Sequence, residues 1–465
     1  MKNRFVKFAA AVAPAALLLA SGATPADAKV LLLGDGGWEV SFDGSVNGFA
    51  TWNSSDNAPA TPTGFTRVGS VGSAPVQPDG TVNDTFRVRT GLLPAVWGMN
   101  VKAPTTGGLD MAARIGLYPN ISNNLKNSFA PADLDMREIF FTVDGSFGQV
   151  LVGKTLSQFF GKNILTDMTL FGVGGIGATS QGGGTTLGRI GYGYVYPQFN
   201  ARIQYTTPDM NGFKAGVGIY DPSRITGTAN VAGLGSGITA NETSSPRFEG
   251  EASWAGNLWG ATVLGWVSGM YQDASFQGNA TAGACPAALD TVTTITAQLN
   301  CLNGHDVTAW GFTGGVQVGI PVGPGTLELM GSGYTGEALG TTLQLDTDSL
   351  DFTGNERNND GFIGQVGYAF GQGTKLQASY GENNQDETGA DSSCRTTTGA
   401  TSGTIFACPA AYILVESQQL WDIMLTHDVN PNLKLVAEYG RQTSEWFDGA
   451  DQDTDIFSLG AFFFW

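Results

Sequence analysis

The chain of 465 residues carries 67 glycines, near twice the usual share of about 7%, while charged residues make up only 14% against about 25% in an ordinary soluble domain. Hydrophobic residues still reach 42%, 27 of them Phe, a mixture too apolar and aromatic for a disordered chain and too poor in Lys, Glu and Arg for a helical bundle. Lys and Arg number 23 against 41 Asp and Glu, a net charge of −18, which excludes the basic face of a nucleic-acid binder. What remains is a large glycine-rich β protein.

In chain order, residues 1–28 read as a secretory signal peptide. Lys2, Arg4 and Lys7 form a positive start, Phe8 to Ala20 a short apolar run, and Ala26-Asp27-Ala28 a small-residue cleavage site. The run is too short, and interrupted by Pro14, for a membrane-spanning helix, and no later stretch is long and apolar enough for one. The mature chain, 29–465, is then expected to fold outside the cytoplasm, where thiols oxidise. Cys285 and Cys301 lie 16 positions apart and Cys394 and Cys408 lie 14 apart, each pair inside a segment without strand periodicity. Of the three possible pairings, two local disulfides fit best, each worth about 3 kcal/mol in the loop-entropy picture.

Period-two alternation follows. From Glu39, Val40, Phe42, Gly44, Val46, Gly48, Ala50 and Trp52 share one face, and Ser41, Asp43, Ser45 and Asn47 the other. Phe248, Ala252 and Trp254 alternate with Glu249, Glu251 and Ser253, and Trp310, Phe312, Val316, Val318 and Ile320 with Ala309, Thr313 and Gln317. Stretches 134–144, 148–156 and 258–267 are apolar on both faces, as expected where a strand packs on a second subunit or an infolded loop. Tight turns are expected at Thr105–Gly108, Gly145–Ser146, Asp209–Gly212, Gly256–Asn257, Pro321–Gly325, Gly371–Thr374 and Asn430–Asn432. Long polar insertions fall near 53–82, 119–133, 160–187, 221–246, 273–305, 335–356, 383–410 and 443–452. Seven short and eight long connections alternate and join sixteen strands. A compact sandwich rarely carries so many long loops. Short turns at one end and long loops at the other define an all-β, 16-stranded antiparallel transmembrane β-barrel, with the apolar face toward lipid and a lumen too wide for side chains to fill.

At this point the chain resembles the Gram-negative general porins, trimeric outer-membrane diffusion channels. Two stretches carry the likeness: Arg137-Glu138-Ile139-Phe140-Phe141 leading into Gly145-Ser146-Phe147-Gly148-Gln149-Val150-Leu151-Val152-Gly153-Lys154, and the last strand from Asp455 to Trp465, with Phe457, Leu459, Ala461 and Phe463 at alternate positions. The resemblance implies a homotrimer in outer-membrane lipid and lipopolysaccharide, inserted by the barrel-assembly machinery, which reads Phe463 and Trp465 as the terminal signal; the family usually ends in Phe. It also implies an infolded constriction loop, here about 160–187, whose acidic residues face basic residues on the wall. That assigns Asp167 to the loop side and Lys154 to the wall; Asp167 is the only carboxylate on the loop, fewer than the family pattern.

Alternation itself supplies further lumen candidates: Arg87 and Arg89 alternating with Phe86 and Val88, Arg114 between Ala113 and Ile115, Arg202 beside Ile203, and Lys214 beside Phe213. An Arg facing lipid at mid-bilayer costs about 2–4 kcal/mol, so these are expected to point inward, together with Glu249, Glu251, Glu328 and Glu438. The pore-constriction set is therefore Arg87, Arg89, Arg114, Lys154, Asp167 and Arg202, with a weak lean toward anions. Tyr192, Tyr194 and Tyr196 alternate as either a solute track of a substrate-specific channel for sugars, phosphate or other small organic solutes, or an interfacial girdle. An outer-membrane enzyme is the remote alternative: His305 and His427 are the only histidines, neither beside a nucleophile motif. Gly182-Gly183-Gly184 lacks the Lys-Ser/Thr of a phosphate loop, and Asp448, Asp451, Asp453 and Asp455 lack EF-hand spacing. No cofactor is implied.

Overall fold

The computed structural model describes residues 30–63, 65–68, 84–122, 134–176, 184–227, 238–277, 302, 304–346, 348–396 and 411–465. The proposed leader and Cys285, Cys301 and Cys408 lie outside the described residues. Cys394 is disulfide-bonded and buried.

Sixteen strands form the wall. They are β1 (Trp38–Ser55), β2 in two pieces (Asp84–Arg89 and Val96–Lys102), β3 (Asp110–Pro119), β4 (Leu134–Gly145), β5 (Gly148–Leu156), β6 (Phe199–Thr206), β7 (Phe213–Tyr220) and β8 (Arg247–Leu258). The second half comprises β9 (Ala261–Ser275), β10 (Asp306–Val322), β11 (Gly325–Glu337), β12 (Asn358–Gly371), β13 (Thr374–Gln385), β14 (Ala411–Asn430), β15 (Leu433–Trp446) and β16 (Asp451–Phe464). Each pairs antiparallel with the next, and β16 pairs with β1 from Ser45↔Phe464 to Ser55↔Thr454. The sheet is a closed antiparallel barrel, so its backbone leaves no edge in hydrocarbon. Val30–Asp35 folds back on the foot of β1, and Phe65–Val68 lies parallel to the head of β14.

Along each stave the outward face is apolar and exposed, with Val46, Trp52, Phe86, Val88, Ile203, Phe312, Leu425 and Phe463 among its residues. The inward face is polar yet buried: Asn47, Thr51, Thr142, Thr313, Gln365, Gln377 and Ser458 are all below 9% exposed. A polar face buried inside an apolar shell inverts the soluble pattern, and follows from lipid outside and packed polar chain within.

Two turn expectations shift. The β8–β9 turn is Trp259-Gly260, not Gly256–Asn257; both turn residues take positive φ, 50° and 88°, the two-residue hairpin geometry. Gly256 stays in the ladder opposite Val263, because the Trp254 ring lies over it: a Cβ there would meet that ring at 2.5 Å. Likewise 443–452 is not a long insertion. β15 runs to Trp446 and β16 starts at Asp451, since outward charges pair across the strands, Arg441 donating to both carboxylate oxygens of Asp455 at 2.8 and 2.9 Å. A further departure is in β2, where six residues, 90–95, stand against three, 46–48, on β1, so this part of the wall leaves the sheet and turns inward.

Candidate functional site

The lumen is where the polar faces converge, and much of it is filled by chain. Residues 157–176 and 184–198, between β5 and β6, fold inward from the left-handed turn at Phe160 (φ 62°) through a short helix, α1 (Gly161–Thr166). Their apolar residues Phe159, Phe160, Ile164, Met168, Leu170, Ile190 and Val195 pack on inward-facing Trp266, Met270, Met330, Tyr334 and Ile363. Phe171, Val173 and Ile176 pack on Phe49, Met424, Val436, Ile456 and Phe462. Trp266 and Leu264 thus explain why β9 is apolar on both faces.

The non-helical backbone of this segment cannot reach a ladder, so wall side chains satisfy it. Glu249 accepts from the N–H groups of Gln158 and Phe159, both at 2.9 Å; Gln365 from Met168 at 2.8 Å; Glu438 from Val173 at 2.6 Å and Gly174 at 3.1 Å; Asn383 from Gly193 at 2.8 Å. Arg189 reaches back to Asp422 at 2.8 Å. Gly172 is required here, since a Cβ would lie 2.6 Å from the Glu438 carboxylate.

A second segment, 338–357 between β11 and β12, was expected as a solvated outer loop. It packs over the first segment and over the β7–β8 connection instead: Thr342 C=O accepts from Tyr196 N–H of the former and Leu345 C=O from Thr226 N–H of the latter, both at 2.9 Å. Leu339, Leu345, Leu350 and Phe352 are buried. Those apolar residues, inside a run rich in Asp and Gly, were the available signal.

The predicted constriction residues are dispersed. Arg87 and Arg89 face inward but are buried, Arg89 fully, under the returning limb of the infolded segment, with Arg89 Nη2 donating to Thr185 C=O at 3.2 Å. Arg114 also faces inward, and is neutralised by Glu138 at 2.7 Å and Asp43 at 2.9 Å. Arg202 donates to the Thr155 and Leu156 carbonyls and lies over the Tyr220 ring. Asp167 does not face an opening: it is buried, accepting from Tyr194 Oη at 2.8 Å, Gln365 Nε2 at 2.7 Å and Thr169. Lys154 is not on the inner wall. The register places it opposite Ile139 and Ala201, on the outward face, while Gly153 and Thr155 share the inward one. The motif had placed Lys154; the alternation of its own strand decides otherwise. Tyr192 and Tyr194 form neither track nor girdle, being fully buried within the infolded segment.

The predicted glutamates are all engaged. Glu249 pairs with Arg247 at 2.5 Å, Glu328 with Lys375 at 2.7 Å, Glu251 with Lys162 at 3.6 Å, and Glu438 holds the loop backbone. Inward charges that keep some exposure include Asp43, Lys162 and Glu251, with 29%, 29% and 17% of their side-chain surface exposed, the exposed Lys214, and Asp428 and Glu328 with 29% and 16%. They lie on both halves of the wall, on β1, β7 and β8 and again on β11 and β14, and on α1. At the Lys162–Glu251 pair the loop carries the cation and the wall the anion, the reverse of the polarity implied by resemblance.

A closed sixteen-stranded barrel with an apolar exterior, a charged polar interior and an infolded segment narrowing it is an outer-membrane channel. The chain belongs to the Gram-negative porin family, whose model matches residues 9–388. No curated protein matches the sequence. Among solved structures the chain is similar to the outer membrane channel DcaP of Acinetobacter baumannii, with TM-score 0.59, 13% identity, and coverage of 94% of this chain and all of that one. It is also similar to an anion-selective porin from Comamonas acidovorans (TM-score 0.50, 11% identity, 92% and 100% covered) and to OprB of Pseudomonas putida (0.50, 10%, 91% and 94%). The protein is an outer-membrane β-barrel porin.

Proposed function

We propose that the protein is a homotrimeric channel through which small hydrophilic solutes and ions diffuse passively. The observation that carries this is a closed barrel with an apolar exterior and a polar inner wall that keeps partly exposed charges, Asp43, Lys162, Glu251, Glu328 and Asp428 among them. The inward charges are nearly balanced, with Asp43, Glu251, Glu328 and Asp428 against Lys162, Lys214, Lys375, Lys434 and the paired Arg114. Charges beyond about 8–10 Å are screened in physiological salt, so the acidic outer loops contribute little and selectivity is weak.

A substrate-specific channel is the second reading, and the second infolded segment, 338–357, favours it, because two layers of chain narrow the entrance. Reconstitution into planar bilayers tests both. Ohmic conductance in three equal steps, unaffected by sugars or phosphate in millimolar excess, supports diffusion. Block of the current by one solute class supports the second reading, and the absence of any conductance defeats both.

A further inference from the structure

The second infolded segment, residues 338–346 and 348–357, leaves the wall after β11, reaches the chain ahead of β6 and β8, and rejoins the wall at β12, a chord across the outer mouth. Its far side rests on apolar packing and single hydrogen bonds: beyond those to Tyr196 and Thr226, Gln344 C=O accepts from Gln198 at 2.8 Å and Thr341 C=O from Asn383 at 2.7 Å. Its ends converge on Arg357. The Arg357 C=O accepts from Ala338 N–H at 2.8 Å, its N–H donates to Ser349 C=O at 3.0 Å, and its Nη1 donates to Asp348 C=O at 3.3 Å. The rest of the guanidinium leaves the segment: Nε and Nη2 donate to the two carboxylate oxygens of Asp391 at 2.8 and 2.7 Å, and neither side chain has accessible surface.

Asp391 belongs to a different connection, β13–β14, and to its helix α2 (Gly389–Thr396). Thr388 and Asp391 close a capping box at the start of α2: the Thr388 hydroxyl accepts from Asp391 N–H at 3.2 Å and the Asp391 carboxylate from Thr388 N–H at 3.1 Å. The same hydroxyl donates to Asp351 of the second segment at 2.7 Å. Tyr412 Oη, at the head of β14, donates to Asp391, and Ala390 and Cys394 of α2 pack with Phe352 of the segment and with Tyr412. Helix α2 is thus fixed to the wall on one side and grips the segment on the other. Arg357 and Asp391 lie just outside β12 and β13, so the barrel ladder closes without them. Building on the channel reading, we propose that the Arg357–Asp391 pair makes α2 an abutment for the second segment and so sets the open cross-section of the mouth. Both are positioning residues for permeation, acting through the segment without touching the solute.

The test combines amide exchange with single-channel recording on Arg357→Gln and Asp391→Asn, each first checked for a heat-modifiable barrel. Removing one partner strands the other in a buried site, so exchange protection of 348–357 is expected to fall by about 100-fold or more in both. Conductance in planar bilayers is expected to rise, and neutral polyethylene glycols too large for the wild-type channel are expected to enter. Arg395→Gln, which breaks the partly exposed Arg395–Glu387 pair of the same helix, is expected to change neither reading. Lost protection with unchanged conductance and size limit overturns the proposal, because the segment then does not set the aperture. Unchanged protection overturns it too, because the pair then does not hold the segment. So does failure of both variants to assemble, since the pair would then serve the wall. Wild type and variants silent alike would defeat the channel reading itself, which any wild-type conductance leaves standing.

Discussion

Lys162 and Glu251 stand 3.6 Å apart with water on both, so each is a local charge whose removal exposes the other. The pair is only partly exposed, so losing one partner costs more than the about 0–1 kcal/mol of a surface ion pair, and each variant is first checked for a folded, heat-modifiable barrel. Lys162→Gln leaves a net negative charge beside the path and is expected to move the reversal potential in a salt gradient toward cations; Glu251→Gln is expected to move it toward anions. Opposite shifts place the pair at the narrow section, and an unchanged potential in both variants places it off the path. Arg89 illustrates how far sequence reaches at this scale. Its inward direction follows from alternation with Phe86 and Val88, but its burial does not, because the chain that covers it comes from Thr185, 96 positions away. Asp167 was assigned to the infolded loop by resemblance, yet its partners Tyr194 and Gln365 turn it away from water. Lys154 was misplaced because a motif match was weighed above strand parity.

At the scale of elements, the two inward segments behave differently. The first is pinned by single side chains, of which Glu438 holds two backbone N–H groups. Gly172→Ala would thrust a methyl against that carboxylate, 2.6 Å away, and is expected to loosen the loop, raising open-channel noise while leaving the barrel's heat stability unchanged. Quiet single-channel traces would show that Glu438 is not what pins it. The second segment carries a pH dependence. Burial pushes the Asp348 carboxyl up to about 6, against the pull of Arg357 and of the Thr341 hydroxyl. The folded segment thus prefers the protonated acid. Its stability is full below the ordinary carboxyl range near about 4 and falls as pH rises through about 6. Amide-exchange protection of 341–357, corrected for intrinsic rates, is expected to be higher at pH 5 than at pH 7.5, and Asp348→Asn is expected to flatten the difference. Equal wild-type protection at both values would mean that Asp348 ionises freely in the fold.

For the whole molecule, the barrel was legible because each stave must repeat one local rule, alternate residues toward lipid, and because the turns announce themselves in Gly, Asn and Pro. The contents of the barrel were not, since they depend on contacts such as Glu438 with Val173, 265 positions apart, made by a segment with no period of its own. Closure is the one long-range event that both levels predict. The final residue completes the seam: Trp465 C=O accepts from Gly44 N–H at 3.0 Å and its own N–H donates to Gly44 C=O at 3.1 Å, extending the β16–β1 ladder past Phe464. Gly44 must lack a side chain there, because a Cβ would meet the Trp465 ring at 2.5 Å and the Val96 carbonyl at 2.4 Å. Deleting Phe464-Trp465 is therefore expected to lower outer-membrane levels and leave protease-sensitive chains in the periplasm. Gly44→Val, which keeps the terminal residues but bars them from the seam, separates two causes. If the ladder itself is needed, Gly44→Val fails like the deletion, and Trp465→Phe, which still fits beside Gly44, assembles normally, as read by heat-modifiable gel mobility and protease accessibility. Normal assembly of Gly44→Val alongside failure of the deletion would show that the terminal residues act only as a recognition signal and that the seam closes without them.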